Sequence, residues 1–522
     1  MTEAVQQAWI DRLRSALERE GRRPLIEFLQ QQRWFGGKGK SLVDVRLSDA
    51  IELSAGASPR MLAVLLVEYR GGVQERYMMP LSIRPRTDRD EAAITEMPEP
   101  DAGQWVCDAT REDDVWRSLY KVVVEKREVA GHVGSVVGRL MPGRQKELAG
   151  PLTAVKVLSA EQSNTSVVFD RHTIMKLIRK TVSGINPDSE ILEFLTTRTS
   201  CRDVPLLFGV VTYNNGLSEG AEPATVAVLQ QFVPNRGDGW GHTLTHLTRL
   251  IDEGRMALNR GDDPGRAIVG LSASFFSEAR RLGEVTGSLH TALASDQESE
   301  SFCPEPITAA DIERWREDMV RDVKEVFHDL RGLPQDQLMR LVLTVAELDE
   351  LEQACLVCFN ALTLLSRHGT AKIRYHGDYH LGQVLKTQEG FVVIDFEGEP
   401  MRPLEERRAK GCPLKDVGGM LRSFNYAFHA ALKEQPSSSQ ARSWLVGWEQ
   451  EVRASFLDGY LSVARPGKAA FLPPTVEDVK RVMRVFELDK AAYELRYELH
   501  NRPEWLSIPL QGIRRFMQEH TA

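Results

Sequence analysis

The chain has 522 residues, enough for two to four domains or one elaborate two-lobed enzyme. Hydrophobic content of 42% and charged content of 27% are ordinary for a soluble globular protein with sizeable cores. A net charge of −8 excludes broad nucleic-acid binding, which needs a basic balance. Six cysteines do not make a disulfide framework. No run of about 18 apolar residues is present to cross a membrane. The start, MTEAVQQAWIDRL, is acidic and lacks the apolar segment of a secretory signal. The expectation is a soluble cytoplasmic protein that touches neither nucleic acid nor membrane.

Residues 4–32 predict a helix, with Trp9, Leu13, Leu17, Leu25, Phe28 and Leu29 near helical spacing. RWFGGKGK follows at 33–40. It is not a phosphate-binding P-loop, because Trp34 stands where that pattern needs its first glycine. Residues 42–85 alternate as strands around a Gly71-Gly72 turn, predicting a small antiparallel sheet. Polar runs at 85–93 and 96–103 read as a linker. Between 104 and 150, Asp114 to Val124 reads as helix and Gly131 to Leu140 as strand. Three strands then follow: Ala154 to Leu158, Ser166 to Phe169 and Ile174 to Leu177. The loop between the first two ends in Ser163, Asn164 and Thr165. Lys176 lies in the third strand, and a helix starts near Pro187 with Glu190 and Glu193 on it. Val226 to Pro234 is a strand running into a break, described equally well as an edge strand.

Residues 238–370 are helical in pattern: Trp240 to Asp252, Leu271 to Ala294, Asp311 to Leu330 and Gln335 to Ser366. His290 reads as a packed helix histidine. Cys355 and Cys358 sit in an apolar helical run and read as buried thiols.

The stretch RYHGDYHLGQVLKTQEGFVVIDFEGEP, 374–400, organises the rest. Gln383 to Lys386 and Phe391 to Ile394 predict a hairpin through a turn at Thr387 to Gly390. The hairpin would bring Asp378, Gln383 and Asp395 to one place, as one base and two oxygen ligands. Phosphoryl transfer needs such a set: a carboxylate to orient the attacking hydroxyl, and hard oxygen ligands for a cation. Downstream, Asp416 and Arg422 are either sugar-side or structural residues. Lys490, Tyr493, Glu494 and Tyr497 recur at i, i+3, i+4 and i+7 on one helix face. Aromatic rings beside polar groups suit a sugar, although an amphipathic packing face has the same pattern.

HGDxHxxQ followed by a strand and DFEGEP, with RWFGGKGK near the start, resembles the sugar-kinase branch of the aminoglycoside-phosphotransferase-like, eukaryotic-kinase-like superfamily. The nearest resemblance is to maltokinases, including maltokinase domains fused to trehalose synthase, and it covers nearly the whole chain. It implies an α+β, bilobal protein-kinase-like fold. Residues 1–95 would form an N-terminal β-rich cap, 96–236 an intermediate subdomain and nucleotide-binding lobe, and 237–522 a mostly helical C-lobe. It implies ATP and Mg²⁺. Ser163, Asn164 and Thr165 would approach the phosphates, and Lys176 would contact them while held by Glu190, with Glu193 as the alternative partner. The backbone at Gln231 and Val233 would meet the adenine. Asp378 would be the base, and Gln383 and Asp395 the metal ligands. His380, Glu397, Arg422, Lys490, Tyr493, Glu494 and Tyr497 fall on the sugar side, and His376 braces the loop. The implied reaction makes maltose 1-phosphate from maltose and ATP, with trehalose synthase as an implied partner. Other sugar kinases, glucosamine kinase among them, antibiotic phosphotransferases and a non-catalytic docking subunit are the alternatives.

Overall fold

The structure, a computed structural model, describes residues 3–54, 58–87, 90–158, 163–216, 222–341, 343–433 and 438–521. Two units divide the chain: Met1–Thr196 with Pro205–Pro234, and Thr197–Val204 with Asn235–Ala522.

The first unit opens with two helices where the periodicity predicts one. These are α1 (Glu3–Ser15) and α2 (Arg22–Gln31), joined by a widened π turn at Ala16–Glu20. Gly21 makes the join: a Cβ there would lie 2.3 Å from the Ala16 carbonyl oxygen and 2.6 Å from Thr95, so only glycine fits. Alternating apolar residues then build β1 (Leu42–Ser54), β2 (Arg60–Tyr69) and β3 (Gln74–Pro85) as an antiparallel meander, as expected. The sheet does not stop there. The stretch read as a polar linker contains β4 (Ala93–Glu96), and β5 (Gln104–Asp108) follows it, giving the order β1-β2-β3-β5-β4. These strands are too short to show a period, yet they bury Ile94 and Val106. Leu13, Leu17, Leu25 and Leu29 pack on Met61, Leu65, Tyr77 and Met79 in this core.

After α3 (Asp113–Val124) comes a second antiparallel sheet. Its strands are β6 (Glu128–Ala130), β7 (Ser135–Leu140), β8 (Val155–Val157), β9 (Thr165–Phe169) and β10 (Thr173–Leu177), completed by β12 (Leu207–Asn214) and β13 (Ala224–Gln231). The order is β6-β7-β12-β13-β10-β9-β8, so β13 is a central strand rather than an edge. The short β11 (Lys180–Thr181) leaves this sheet to pair with β3, and α4 (Pro187–Arg198) follows it. Trp116, Leu119 and Val123 of α3 pack against Val167, Phe169, Val211 and Leu229 of the sheet.

The second unit is mostly helical, as expected. Its helices are α5 (Gly239–Arg260), α6 (Pro264–Leu271), α7 (Ala273–Leu293), α8 (Ala309–Arg331), α9 (Gln335–Arg340), α10 (Val345–Cys358), α11 (Thr363–Arg367), α12 (Leu404–Arg408), α13 (Leu414–Lys433), α14 (Ser438–Val463), α15 (Val476–Asn501) and α16 (Ser507–Thr521). The helix predicted over 335–366 is three helices and a 3₁₀ turn. Thr344 starts α10 afresh by accepting the Glu347 N–H at 3.1 Å. Two short ribbons complete the unit, β14 (Glu305–Pro306) with β15 (Ala371–Lys372), and β16 (Val384–Lys386) with β17 (Phe391–Val393). Helix α13 is buried along most of its length, its polar Asp416, Arg422 and Asn425 included. Burial pushes the Cys355 thiol up to about 12 and Cys358 to about 11, so both are inert. Among the described residues, no helix is long and apolar enough to cross a membrane.

Candidate active site

The hairpin forms as its sequence demands. Lys386 pairs with Phe391, and the Thr387 N–H donates to the Gly390 carbonyl at 3.0 Å. Gln383 precedes the first strand and Asp395 follows the second, so the turn brings them together. The Gln383 amide donates through Nε2 to Asp395 Oδ2 at 3.0 Å. Asp395 has φ +67°, a left-handed conformation that Asp adopts more readily than most residues. A carboxylate oxygen of Glu397 lies within 4.8 Å of one on Asp395. The oxygens of Gln383, Asp395 and Glu397 are the hard donors that suit Mg²⁺, and with Nε2 turned to Asp395, Gln383 keeps Oε1 for a cation.

His376 ties the preceding loop to this hairpin. Its Nε2–H donates to the Ile394 carbonyl at 3.0 Å, and its Nδ1 accepts the Asp378 N–H at 3.3 Å, which sets the tautomer. Asp378 is thereby linked to the residue just before Asp395. Asp416 holds the loop from α13. Its Oδ2 accepts the His376 N–H at 2.8 Å and His290 Nε2–H at 3.1 Å, and its Oδ1 accepts the Gly377 N–H at 2.9 Å. His290 Nδ1 meets the Tyr460 hydroxyl at 3.1 Å, so His290 is a fully buried member of the brace. Burial alone would raise the Asp416 carboxyl. His290 and the loop amides outweigh it and hold the carboxyl below its ordinary range.

On the other side of Asp378 stands α15. Lys490 Nζ lies 3.4 Å from Asp378 Oδ1, 3.6 Å from Glu399 Oε1 and 4.6 Å above the Tyr493 ring. Glu399 also accepts from Arg402 Nε at 3.2 Å. Burial pushes Glu399 up, but Lys415, Lys490 and Arg402 bring it down to about 2. His380 caps the turn Leu381–Gln383 by accepting the Gly382 N–H at 3.0 Å, with Nε2 4.0 Å from Asp378 Oδ2. Burial lowers its pKa against the pull of Asp378, so it is neutral near pH 7. Asp378, Lys490 and Tyr493 line a narrow cleft. A cavity of about 410 Å³ adjoins it, sharing Gly377, Glu399, Arg402 and Lys415 and reaching Trp315. Its wall carries both signs, with Arg402, Lys410 and Lys415 against Asp322, Glu406 and Asp489.

Three residues expected on the sugar side, Arg422, Glu494 and Tyr497, have partners within the protein. Arg422 Nε and Nη2 both donate to Glu494 Oε2, at 3.0 and 2.6 Å, and Arg422 is only 3% exposed. The two opposite charges neutralise each other inside the protein. Tyr497 is 46% exposed under the Arg502 guanidinium, 5.3 Å from the ring centroid. From Lys490 to Tyr497 the helix rises about 10 Å along its axis. Glu399 is the residue that sequence reasoning left unassigned here. It stands inside DFEGEP, but no spacing rule linked it to a helix about 90 residues on.

In the first unit, Lys176 lies on β10 opposite Ser166 and Val228, and Glu190 is in the first turn of α4. Glu193, on the same helix, is held by Arg139 through two contacts of 2.7 and 2.6 Å. Residues 159–162 of the expected phosphate loop lie outside the described residues. Ser163 is exposed, but Asn164 and Thr165 turn inward: Asn164 Oδ1 accepts the Arg179 N–H at 3.4 Å, and Thr165 Oγ1 accepts Arg179 Nε at 2.9 Å. The Gln231 N–H, expected at the adenine, already donates to the Leu206 carbonyl at 2.8 Å. Val233 lies two residues beyond the end of β13.

Residues 28–112 match the maltokinase N-terminal cap domain. A glucosamine kinase from Streptacidiphilus jiangxiensis is 25% identical over 369 residues, 69% of this chain and 73% of that protein. A second, from Mycolicibacterium smegmatis, is 24% identical over 367 residues, 70% of this chain and 80% of that protein. The solved structure of a glucosamine kinase in complex with glucosamine, ADP and inorganic phosphate shares the fold, with a TM-score of 0.60 at 20% identity, over 92% of this chain and 96% of that one. The chain is thus similar to glucosamine kinases over most of its length and shares their fold. Within the cap, RWFGGKGK has a structural duty. Trp34 stacks on the buried Arg179 guanidinium at 4.6 Å, Phe35 fills the core, and Lys40 Nζ reaches Glu75 at 2.8 Å. Glu75 also takes Lys180 at 2.7 Å and the hydroxyls of Tyr69 and Tyr77. The motif therefore fastens the cap to the strand residues that follow Lys176.

Proposed function

We propose that this chain is an ATP-dependent sugar kinase, and that its acceptor is the anomeric hydroxyl of maltose. The observation that carries the reading is the linkage of Asp378, through His376, to Ile394 and so to Asp395. Asp378 orients the acceptor hydroxyl and takes its proton. The sugar oxygen bonds to the γ-phosphorus, the bond from that phosphorus to the β-bridging oxygen breaks, and ADP leaves. Lys490, 3.4 Å from Asp378, holds the carboxylate at a fixed angle. Bound at Gln383 and Asp395, with Glu397 nearby, Mg²⁺ would supply charge neutralisation for the phosphates. Lys176, held by Glu190, is assigned to the nucleotide phosphates in the first unit.

The mixed-sign cavity next to Asp378 suits neutral hydroxyls better than an acidic trap would, which speaks against a cationic antibiotic as acceptor. The maltokinase cap supports maltose. The two glucosamine kinases that match about 70% of the chain support glucosamine as the second reading. A coupled assay with ATP and Mg²⁺ across maltose, glucose, glucosamine and kanamycin, with ³¹P NMR of the product, decides among them. Maltose 1-phosphate is the expected product. Turnover of glucosamine alone overturns the maltose assignment, and turnover of none of the four overturns the kinase reading for these acceptors.

A further inference from the structure

The ribbon that carries Gln383 and Asp395 is short: Val384 pairs with Val393, Leu385 with Val392 and Lys386 with Phe391. A two-stranded ribbon of that length is marginal by itself, and a slip of one residue would reverse the face each side chain takes. Its register is held from outside. On the β16 edge, the Arg236 N–H donates to the Lys386 carbonyl at 2.8 Å, and the Lys386 N–H to the Gly237 carbonyl at 2.9 Å. On the β17 edge, the Val393 N–H donates to the Asp203 carbonyl at 2.8 Å. Helix α7 reaches both edges from one face, through residues at i and i+3. Arg281 donates to Asp203 Oδ1 at 3.3 Å, and Glu278 Oε1 lies 3.1 Å from Lys386 Nζ. Lys386 is buried, with Nζ 4.8 Å from the centre of the Phe391 ring. Glu278 Oε2 meets His242 Nε2 of α5 at 2.7 Å. The His242 bond, with Lys386 behind it, outweighs burial and holds the Glu278 carboxyl below its ordinary range. Strand lysines usually extend to water, and a buried one is costly unless the fold supplies its partner.

We propose that Glu278 is a positioning residue for the metal pair: by anchoring Lys386 to α7 it fixes the register of β16 on β17, and with it the placement of Gln383 against Asp395. The inference rests on the reading of Gln383 and Asp395 as metal ligands. Lys386 is three residues from Gln383, and the Ile394 N–H donates to the Gln383 carbonyl at 3.0 Å, so the strand pairing continues from the ion pair to the ligands. Glu278 lines neither the Asp378 cleft nor the cavity beside it, so a change there leaves the sugar side alone.

Calorimetric titration of ADP into the full chain, with and without Mg²⁺, reads the metal pair without turnover. The wild type is expected to bind ADP more tightly when Mg²⁺ is present. Glu278→Gln removes the charge and keeps the shape. It should weaken binding of ADP with Mg²⁺ by about tenfold, the lower end for residues that orient metal ligands, and leave binding of ADP alone and the sugar KM unchanged. Glu278→Leu with Lys386→Met separates register from packing. Replacing a buried ion pair by apolar side chains often preserves stability, so the unfolding temperature should hold while the Mg²⁺-dependent gain still falls. A wild-type gain in both variants would overturn the positioning role and leave the metal assignment standing. Equal weakening of ADP with and without Mg²⁺ would mark general loosening and overturn it as well. No gain from Mg²⁺ in the wild type would overturn the metal assignment itself, and the role of Glu278 with it.

Discussion

Asp416 offers the sharpest separation of bracing from chemistry. It touches no proposed substrate, yet it accepts the His376 and Gly377 amides and the His290 ring at 2.8, 2.9 and 3.1 Å, while only 2% exposed. Asp416→Ala would strand two buried amides and a buried imidazole N–H. At roughly 1–3 kcal/mol for each unsatisfied buried group, the two amides alone cost about 2–6 kcal/mol. That is a large part of the 5–15 kcal/mol that folded proteins typically hold in reserve. Asp416→Asn is the milder probe: its amide oxygen can keep one donor, but its NH₂ then faces another. The loop carrying Asp378 would shift, and a misplacement of about 1 Å costs on the order of 100-fold in turnover. Thermal unfolding and the coupled kinase assay read the two effects together. Asp416→Asn should lower both the unfolding temperature and kcat, whereas Asp378→Asn should lower kcat alone. Wild-type stability and turnover in Asp416→Asn would refute the brace.

Asp378→Asn should retain ATP binding and lose about 10²–10⁴-fold in kcat, the range for a positioned base, as read by steady-state kinetics and nucleotide titration. Asp395→Ala should abolish Mg²⁺-dependent activity while the protein stays folded by circular dichroism. Arg422→Met should destabilise by about 3–5 kcal/mol, because it leaves Glu494 buried and unpaired, with sugar KM close to wild type; a KM effect without loss of stability would return Arg422 to the sugar side. Tyr493→Ala should raise sugar KM more than Tyr497→Ala does, given that Tyr493 lies under Lys490 and Tyr497 is exposed; equal effects would count against the cleft. Glu399 is held down to about 2 in the folded protein, below the ordinary Glu value of about 4.3. Its contribution to stability is therefore full above that ordinary value and disappears as pH falls towards 2. Glu399→Gln should flatten the acid limb of the denaturation profile in that window, and an unchanged limb would contradict the depressed pKa.

The hairpin and its two polar ends were legible in the sequence because their determinants are local. A short apolar run, a turn and a second apolar run fix the geometry that joins Gln383 to Asp395, whatever surrounds it. The helical character of the second unit and the meander of the cap were legible for the same reason, since a period of 3.6 or 2 reports which face is buried. Short β4 and β5 were not, because four or five residues carry too little pattern. Side-chain allegiance across long separations was not legible either. Periodicity placed Glu494 and Tyr497 on the same face as Lys490, but only packing decided that Glu494 belongs to Arg422. Only packing gave Thr165 and Asn164 to Arg179, Glu193 to Arg139, and the loop amides to Asp416. The sequence by itself determined which elements form and which chemistry they can carry. The tertiary structure decided which charged groups neutralise one another, because a buried charge must find its partner in space, and that partner lies 54 residues away for Glu193 and 72 for Glu494.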